Sequence, residues 1–124
     1  MIDFEKATLL KLARIDPRDI AGSVEPLIVP GEQLHLAFKT VRDFVVFTNK
    51  RVIAVNVQGM TGKKRDYTSL PYSKIQAFSV ETAGHFDLDA ELDLWFSGLG
   101  KVRLEFRGES DIRQISQLIG SYVL

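Results

Sequence analysis

Four carboxylates fall within seven positions, Asp87, Asp89, Glu91 and Asp93, each separated from the next by one apolar residue. Three chemistries are open to such a row: a divalent-cation site, a general acid/base pair, or the solvated face of a strand. Successive side chains of a strand point to opposite faces. Leu88, Ala90, Leu92 and Leu94 then share one face and the four acids the other, the split that a half-buried antiparallel strand needs. The following segment supplies a partner, because Lys101, Arg103 and Arg107 alternate with Val102, Leu104 and Phe106, and SGLG at 97–100 is a natural turn between the two. An acidic row beside a basic row is expected, with Glu105 the one like-charge member, and cross-strand opposite-charge pairs contribute about 0.2–1 kcal/mol each.

A metal suits the row less well. A hard cation needs several oxygens converging from a bent loop, whereas same-face neighbours on a strand stand roughly 6.6 Å apart and diverge. The spacing resembles an EF-hand loop, but its glycine position is Leu92 and its closing glutamate position is Gly98. The reading is a charge ladder, with a divalent-metal site on the 87–93 strand kept as the alternative. Other catalytic arrangements are absent. There is no cysteine, so there are no disulfides, thiolate metal sites or Cys nucleophiles. His35 and His85 have no metal-ligand spacing to each other, no G-x-S-x-G occurs, and GMTGKKR lacks the strand-turn-helix context of a phosphate loop. No catalytic residue, metal or cofactor is expected, and the chain reads as non-enzymatic.

Three features point to binding. Lys63, Lys64 and Arg65 follow Gly62, and adjacent cations can hold a phosphate, an acidic partner or an acidic membrane surface. The hairpin FVVFTNKRVIAV is apolar on both faces: Phe44 and Val46 oppose Val45 and Phe47, and Val52 and Ala54 oppose Ile53 and Val55. Both faces must be covered; one belongs to the core, and the other requires the N-terminal segment or a second protomer. Trp95 falls by strict alternation on the acidic, wet face, unless a bulge turns it inward. Phe44, Val45, Phe47, Val52, Ala54 and Trp95 are therefore the candidate interface for an oligomer or a protein partner.

The elements that must position these residues form three zones. Residues 1–30 read as a helical segment packing on the domain: Phe4, Ala7 and Leu10 recur at helical spacing with Leu9 and Ala13 beside them, and Asp16-Pro17 is a start signal for a second short helix to about Gly22. From Glu32 to Arg107 the chain reads as seven strands, with a tight turn at Asn49-Lys50 and Pro71 confining its strand to an edge or a bend. The last zone is one amphipathic helix, capped by Ser110 and striped by Ile112, Ile115, Leu118, Ile119, Tyr122 and Val123.

The whole is 124 residues, with 16 basic and 16 acidic side chains, ample for one unstapled domain. Net charge is zero, so no global field draws in nucleic acid. The N-terminus is neither a signal peptide nor a membrane span. The chain is read as cytoplasmic and complete.

Seven strands and a C-terminal helix, together with RDFVVFTNKRVI at 42–53, QGMTGKK at 58–64, YTSLPYSKIQAFSVETAG at 67–84 and FDLDAELDLWFSG at 86–98, resemble the bacterial pleckstrin-homology-like (PH) domain family. The resemblance implies a mainly β, PH-like, partly open barrel of seven antiparallel strands over residues 31–124, plugged at one end by the C-terminal helix. It also implies ring-like homo-oligomers, which suits the two-faced hairpin. Phosphoinositide binding is not implied: the headgroup site of eukaryotic relatives uses a long loop between the first two strands, whereas only Thr40-Val41 separates Lys39 from Arg42 here. The expected function is a self-associating scaffold or interaction module; binding of an anionic ligand or acidic membrane surface through Lys63–Arg65 is the alternative.

Overall fold

Period-two alternation of apolar residues builds most of this chain. The computed structural model describes residues 8–85, 88–108 and 112–124. Its strands are β1 (Thr8–Ile15), β2 (Leu34–Lys39), β3 (Phe44–Thr48), β4 (Arg51–Gln58), β5 (Lys64–Pro71), β6 (Ile75–Glu81), β7 (Ala90–Phe96) and β8 (Gly100–Phe106), with helices α1 (Ala21–Val24) and α2 (Ile112–Val123). The eight strands form one sheet in the order β5-β4-β3-β2-β1-β8-β7-β6.

The N-terminal zone departs from the helical reading. Residues 8–15 are a strand, antiparallel to β2 through Ala13↔Lys39 and Ile15↔Ala37, and parallel to β8 through Leu9↔Leu104 and Leu12↔Phe106. Apolar residues at 9, 10, 12 and 13 suit either period, and pairing with segments far along the chain decides between them. This strand is the eighth, beyond the expected seven, and it joins the β2–β5 half of the sheet to the β6–β8 half. Phe4, Ala7 and Ser110 lie outside the described residues. The start signal at Asp16-Pro17 holds. Asp16 Oδ1 accepts the Arg18 amide at 2.9 Å, and 3-10 turns at Pro17–Asp19 and Glu25–Leu27 flank α1.

The sheet curls without closing. Its terminal strands, β5 and β6, are consecutive in the chain and joined by the 3-10 turn Tyr72–Lys74, so they meet at that corner. Pro71 sits on the outermost strand, where a missing amide costs no ladder bond. Helix α2 packs across that turn, β6 and β7, sending Ile112, Ile115 and Ile119 into the barrel. Each buried aliphatic side chain of this kind contributes roughly 1.5–3 kcal/mol relative to exposure. The interior holds an aromatic cluster, with Phe38 and Phe106 centroids 4.8 Å apart and Phe38 and Phe47 5.8 Å apart, both edge-on.

A second, smaller core lies on the other side of the hairpin. Phe44, Val46, Ile53 and Val55 pack there against Val24 of α1, with Ile20, Ile28, Leu34, Val57 and Tyr67 around them. The chain itself therefore covers both apolar faces of the β3–β4 hairpin.

Candidate functional site

Two acids of the row, Glu91 and Asp93, sit on β7 facing away from the core as expected, and Asp89 lies just before the strand begins. Ala90, Leu92, Leu94 and Phe96 point inward, and Glu91, Asp93 and Trp95 point outward. Asp93 lies directly across from Arg103 in the β7–β8 register and accepts from its Nε at 2.9 Å and its Nη2 at 3.2 Å. Arg103 Nη1 also reaches Glu91 at 3.5 Å. Glu91 faces Glu105 on one side and Glu81 on the other. Partial burial pushes the Glu91 carboxyl up; Arg103 pulls it back, and the two neighbouring glutamates push it further up.

Lys11 completes the ladder from a strand that composition alone did not place there. It is the one described non-glycine residue with positive φ, at 59°, and it sits where the β1–β8 register shifts between Leu9 and Leu12. That bulge turns its side chain onto the acidic face, where Nζ lies 2.8 Å from Asp89 and 3.7 Å from Glu105. The hydrogen bond from Lys11 holds the Asp89 carboxyl below its usual range. Asp89, Glu91 and Asp93 thus each have a cation partner, and Asp87 lies outside the described residues. Among the described residues no group of three or more acids and histidines converges on a point where a metal could sit. The arrangement does electrostatic work within the sheet.

Five of the six candidate interface residues lie inside the chain. Val45, Phe47, Val52 and Ala54 belong to the main core and Phe44 to the smaller one. The residue pattern shows that both hairpin faces need cover; which segment supplies it is set by the turns at 17–27. Trp95 keeps strict alternation and is 36% exposed, opposite Ala77 and Lys101.

The three cations do not form one cradle. Lys63 is in the β4–β5 loop, and Lys64 and Arg65 open β5, so these last two alternate across the strand. Arg65 donates to Ser23 Oγ at 3.0 Å and to the Gly62 carbonyl at 3.4 Å. His35 Nε2 lies 3.4 Å from the Tyr122 hydroxyl, and Tyr122 stacks on Tyr72 with centroids 5.5 Å apart. His85 is exposed.

Sequence reasoning missed the polar centre at the hairpin turn. Arg51 grips Glu32 at two points, and Thr48 Oγ1 donates to Glu32 Oε2 at 2.7 Å. The acid lies 19 residues from its arginine, so no short-range spacing could have flagged it.

This eight-stranded curled sheet with its C-terminal helix has close relatives. Residues 3–123 match the family described as Bacterial PH domain. This chain belongs to that family. The uncharacterized protein YjqA of Bacillus subtilis (strain 168) is 47% identical over 97 residues, covering 77% of this chain and 78% of YjqA. The crystal structure of a DUF1696 family protein with a pleckstrin-homology domain from Shewanella loihica PV-4 superposes with a TM-score of 0.80 at 42% identity, over 93% of this chain and 99% of that one. The pleckstrin homology domain from Shewanella amazonensis SB2B is 45% identical, with a TM-score of 0.68 over 89% of this chain and 90% of that one. A bacterial PH domain is the fold the sequence resemblance implied. Among its described residues no helix is long and apolar enough to cross a membrane.

Proposed function

We infer that this chain is a non-enzymatic interaction module of the cytoplasm that assembles with copies of itself, edge strand to edge strand. The observation that carries this reading is the open sheet. Strands β5 and β6 each have a neighbour on one side only among the described residues, and they run eight and seven residues. A row of backbone donors and acceptors of that length that no described strand pairs is a template for another strand. The faces, by contrast, are occupied by α2 and by the turns at 17–27, so the hairpin surface is not needed for contact.

The two edges differ. β5 begins with Lys64 and Arg65, while β6 ends with Glu81. Unlike edges favour a heterologous contact, β5 of one copy against β6 of the next, and such a contact closes into a ring when the rotation per copy allows it. Trp95 and Ala77 lie beside the β6 edge and supply apolar area to that contact.

Light scattering on a sizing column tests the reading. The expected mass is a discrete multiple of 14.0 kDa at low and at high salt. Lysines at two exposed β6 positions, Ala77→Lys with Ser79→Lys, blunt the edge and are expected to shift the mass toward the single chain. A strict monomer at micromolar concentration for the unaltered protein sinks the proposal.

A further inference from the structure

We propose that β5 of one copy lies parallel to β6 of the next, with Arg65 opposite Ala77, Tyr67 opposite Ser79 and Ser69 opposite Glu81. This contact rests on the edge-to-edge assembly inferred above and gives it a direction and a register. Strand directions within one chain carry it. From β5 through β4, β3 and β2 to β1 every junction is antiparallel, so β1 runs in the direction of β5. β1 and β8 are parallel, and β8 to β7 and β7 to β6 are antiparallel, so β6 also runs in the direction of β5. The parallel junction made by β1 thus gives the two edge strands one direction. A copy that sets its β5 against β6, with its outer face on the same side, meets it strand-parallel. An antiparallel contact with the outer faces on one side joins like edges only, β5 to β5 or β6 to β6.

The faces restrict the register. On β5, Leu70 points into the main core and Tyr67 into the smaller one, so Arg65, Tyr67 and Ser69 share the outer face. On β6, Phe78 and Val80 pack against the main core, and Ala77, Ser79 and Glu81 are exposed on the outer face. A slip of one residue turns every side chain over, so outer-face residues must pair with one another.

Main-chain donors decide among the registers that remain. The Tyr72 amide donates to the Lys50 carbonyl at 3.1 Å. Bonded and unbonded pairs alternate along an antiparallel ladder, so the next pair, Arg51↔Pro71, is unbonded, and with it Ile53↔Ser69, Val55↔Tyr67 and Val57↔Arg65. The amides of Arg65, Tyr67 and Ser69 therefore point to the open edge, and Pro71 has none. The proposed register uses all three donors and leaves Pro71 beyond Glu81, the last residue of β6. A shift of two residues one way sets the donorless Pro71 opposite Glu81, and a shift the other way carries Ser69 past the end of β6. No like charges stand opposite each other in this pairing. Neighbouring strands are rotated in one sense, so each added copy turns by the same step, as closure into a ring requires.

The chain has no cysteine, so single thiols report the contact directly. Arg65→Cys, Ser69→Cys, Ala77→Cys and Glu81→Cys each change an exposed position, and unchanged melting confirms that the variants fold. Variants are mixed in pairs, allowed to exchange subunits, treated with a short bifunctional thiol reagent and run on a denaturing gel. With one thiol per chain, every link joins two copies. In the proposed register positions 65 and 77, and 69 and 81, stand about 5 Å apart across the strands, whereas 65 and 81, or 69 and 77, are roughly 13 Å out of step along them. Covalent dimers are expected from 65 with 77 and from 69 with 81, and none above background from the crossed pairs. Dimers from the crossed pairs instead mark an antiparallel contact and overturn the proposal. So does self-linkage of a Ser79→Cys chain, which marks β6 against β6. In both cases light scattering still returns a multiple of 14.0 kDa, so self-association stands while the parallel contact falls. An assembled protein that links none of these pairs overturns the edge contact itself, and a monomeric parent removes the assembly together with this contact.

Discussion

Arg51 holds Glu32 in a two-point grip, Nε to Oε2 and Nη2 to Oε1, each at 2.8 Å, with the Glu32 side chain entirely out of solvent. The same guanidinium donates to the Leu27 carbonyl at 2.7 Å and to Ser69 Oγ at 2.8 Å. One arginine thus pins the N-terminal turns, the hairpin and the edge strand β5 together. Burial pushes the Glu32 carboxyl up, but hydrogen bonds from Arg51, Thr48 and the Val29 amide outweigh it and bring it down to about 2.

That depression has a definite sign. A carboxyl lowered from 4.5 to about 2 stabilises the folded state fully above its unfolded value, and the contribution is lost as pH falls from about 4.5 toward 2. Urea midpoints measured across that window should decline for the parent. Glu32→Ala is expected to cost about 3 kcal/mol at neutral pH, because it leaves a largely buried guanidinium without its carboxylate, and to flatten the decline. A variant as acid-sensitive as the parent would show that another carboxylate governs the window.

The β7 row should be indifferent to divalent ions. Its carboxylates already face Lys11 and Arg103. Millimolar calcium or magnesium is expected to leave the melting temperature unchanged, and a rise would reveal a bound ion. Within the ladder, a double-mutant cycle on Asp93 and Arg103 should return about 0.5–1 kcal/mol, the range of a cross-strand pair on a half-exposed face.

Val24 is the plug of the smaller core, fully buried against Phe44, Val46, Ile53 and Val55. Val24→Asp places an unpaired carboxylate there and is expected to destabilise by more than about 3 kcal/mol. It should also expose the outer hairpin face and raise binding of a hydrophobic dye. An unaltered unfolding curve would mean that something other than the 17–27 turns covers that face.

Trp95 is the only tryptophan, so its fluorescence reports on the outer face beside β6. At 36% exposure it should be quenched readily by acrylamide in the dissociated chain. Assembly through the β6 edge is expected to lower the quenching constant. A constant that does not change between dilute and concentrated samples would place the contact elsewhere.

Residues 90–106 show how much a local pattern can carry. Alternation sends Leu92 and Leu94 inward and Glu91 and Asp93 outward, the 97–100 turn sets the register, and Asp93 meets Arg103 as the sequence implies. Such features are legible because side-chain direction on a strand has a fixed period of two and a short turn leaves little choice of pairing. The β3–β4 hairpin, Pro71 on an edge strand and the stripe of α2 follow from equally local rules. Long-range choices were decided only by the tertiary structure. Residues 8–15 have apolar spacing that a helix or a strand can use, and insertion between β2 and β8 makes them a strand. The hairpin pattern demanded a cover without naming it, and Val24 arrived through turns some twenty residues earlier. Lys11 reaches Asp89 from 78 positions away through a bulge, and Glu32 finds Arg51 across 19. Periodicity records which side of an element avoids water; which distant segment satisfies that side is a property of the packed chain.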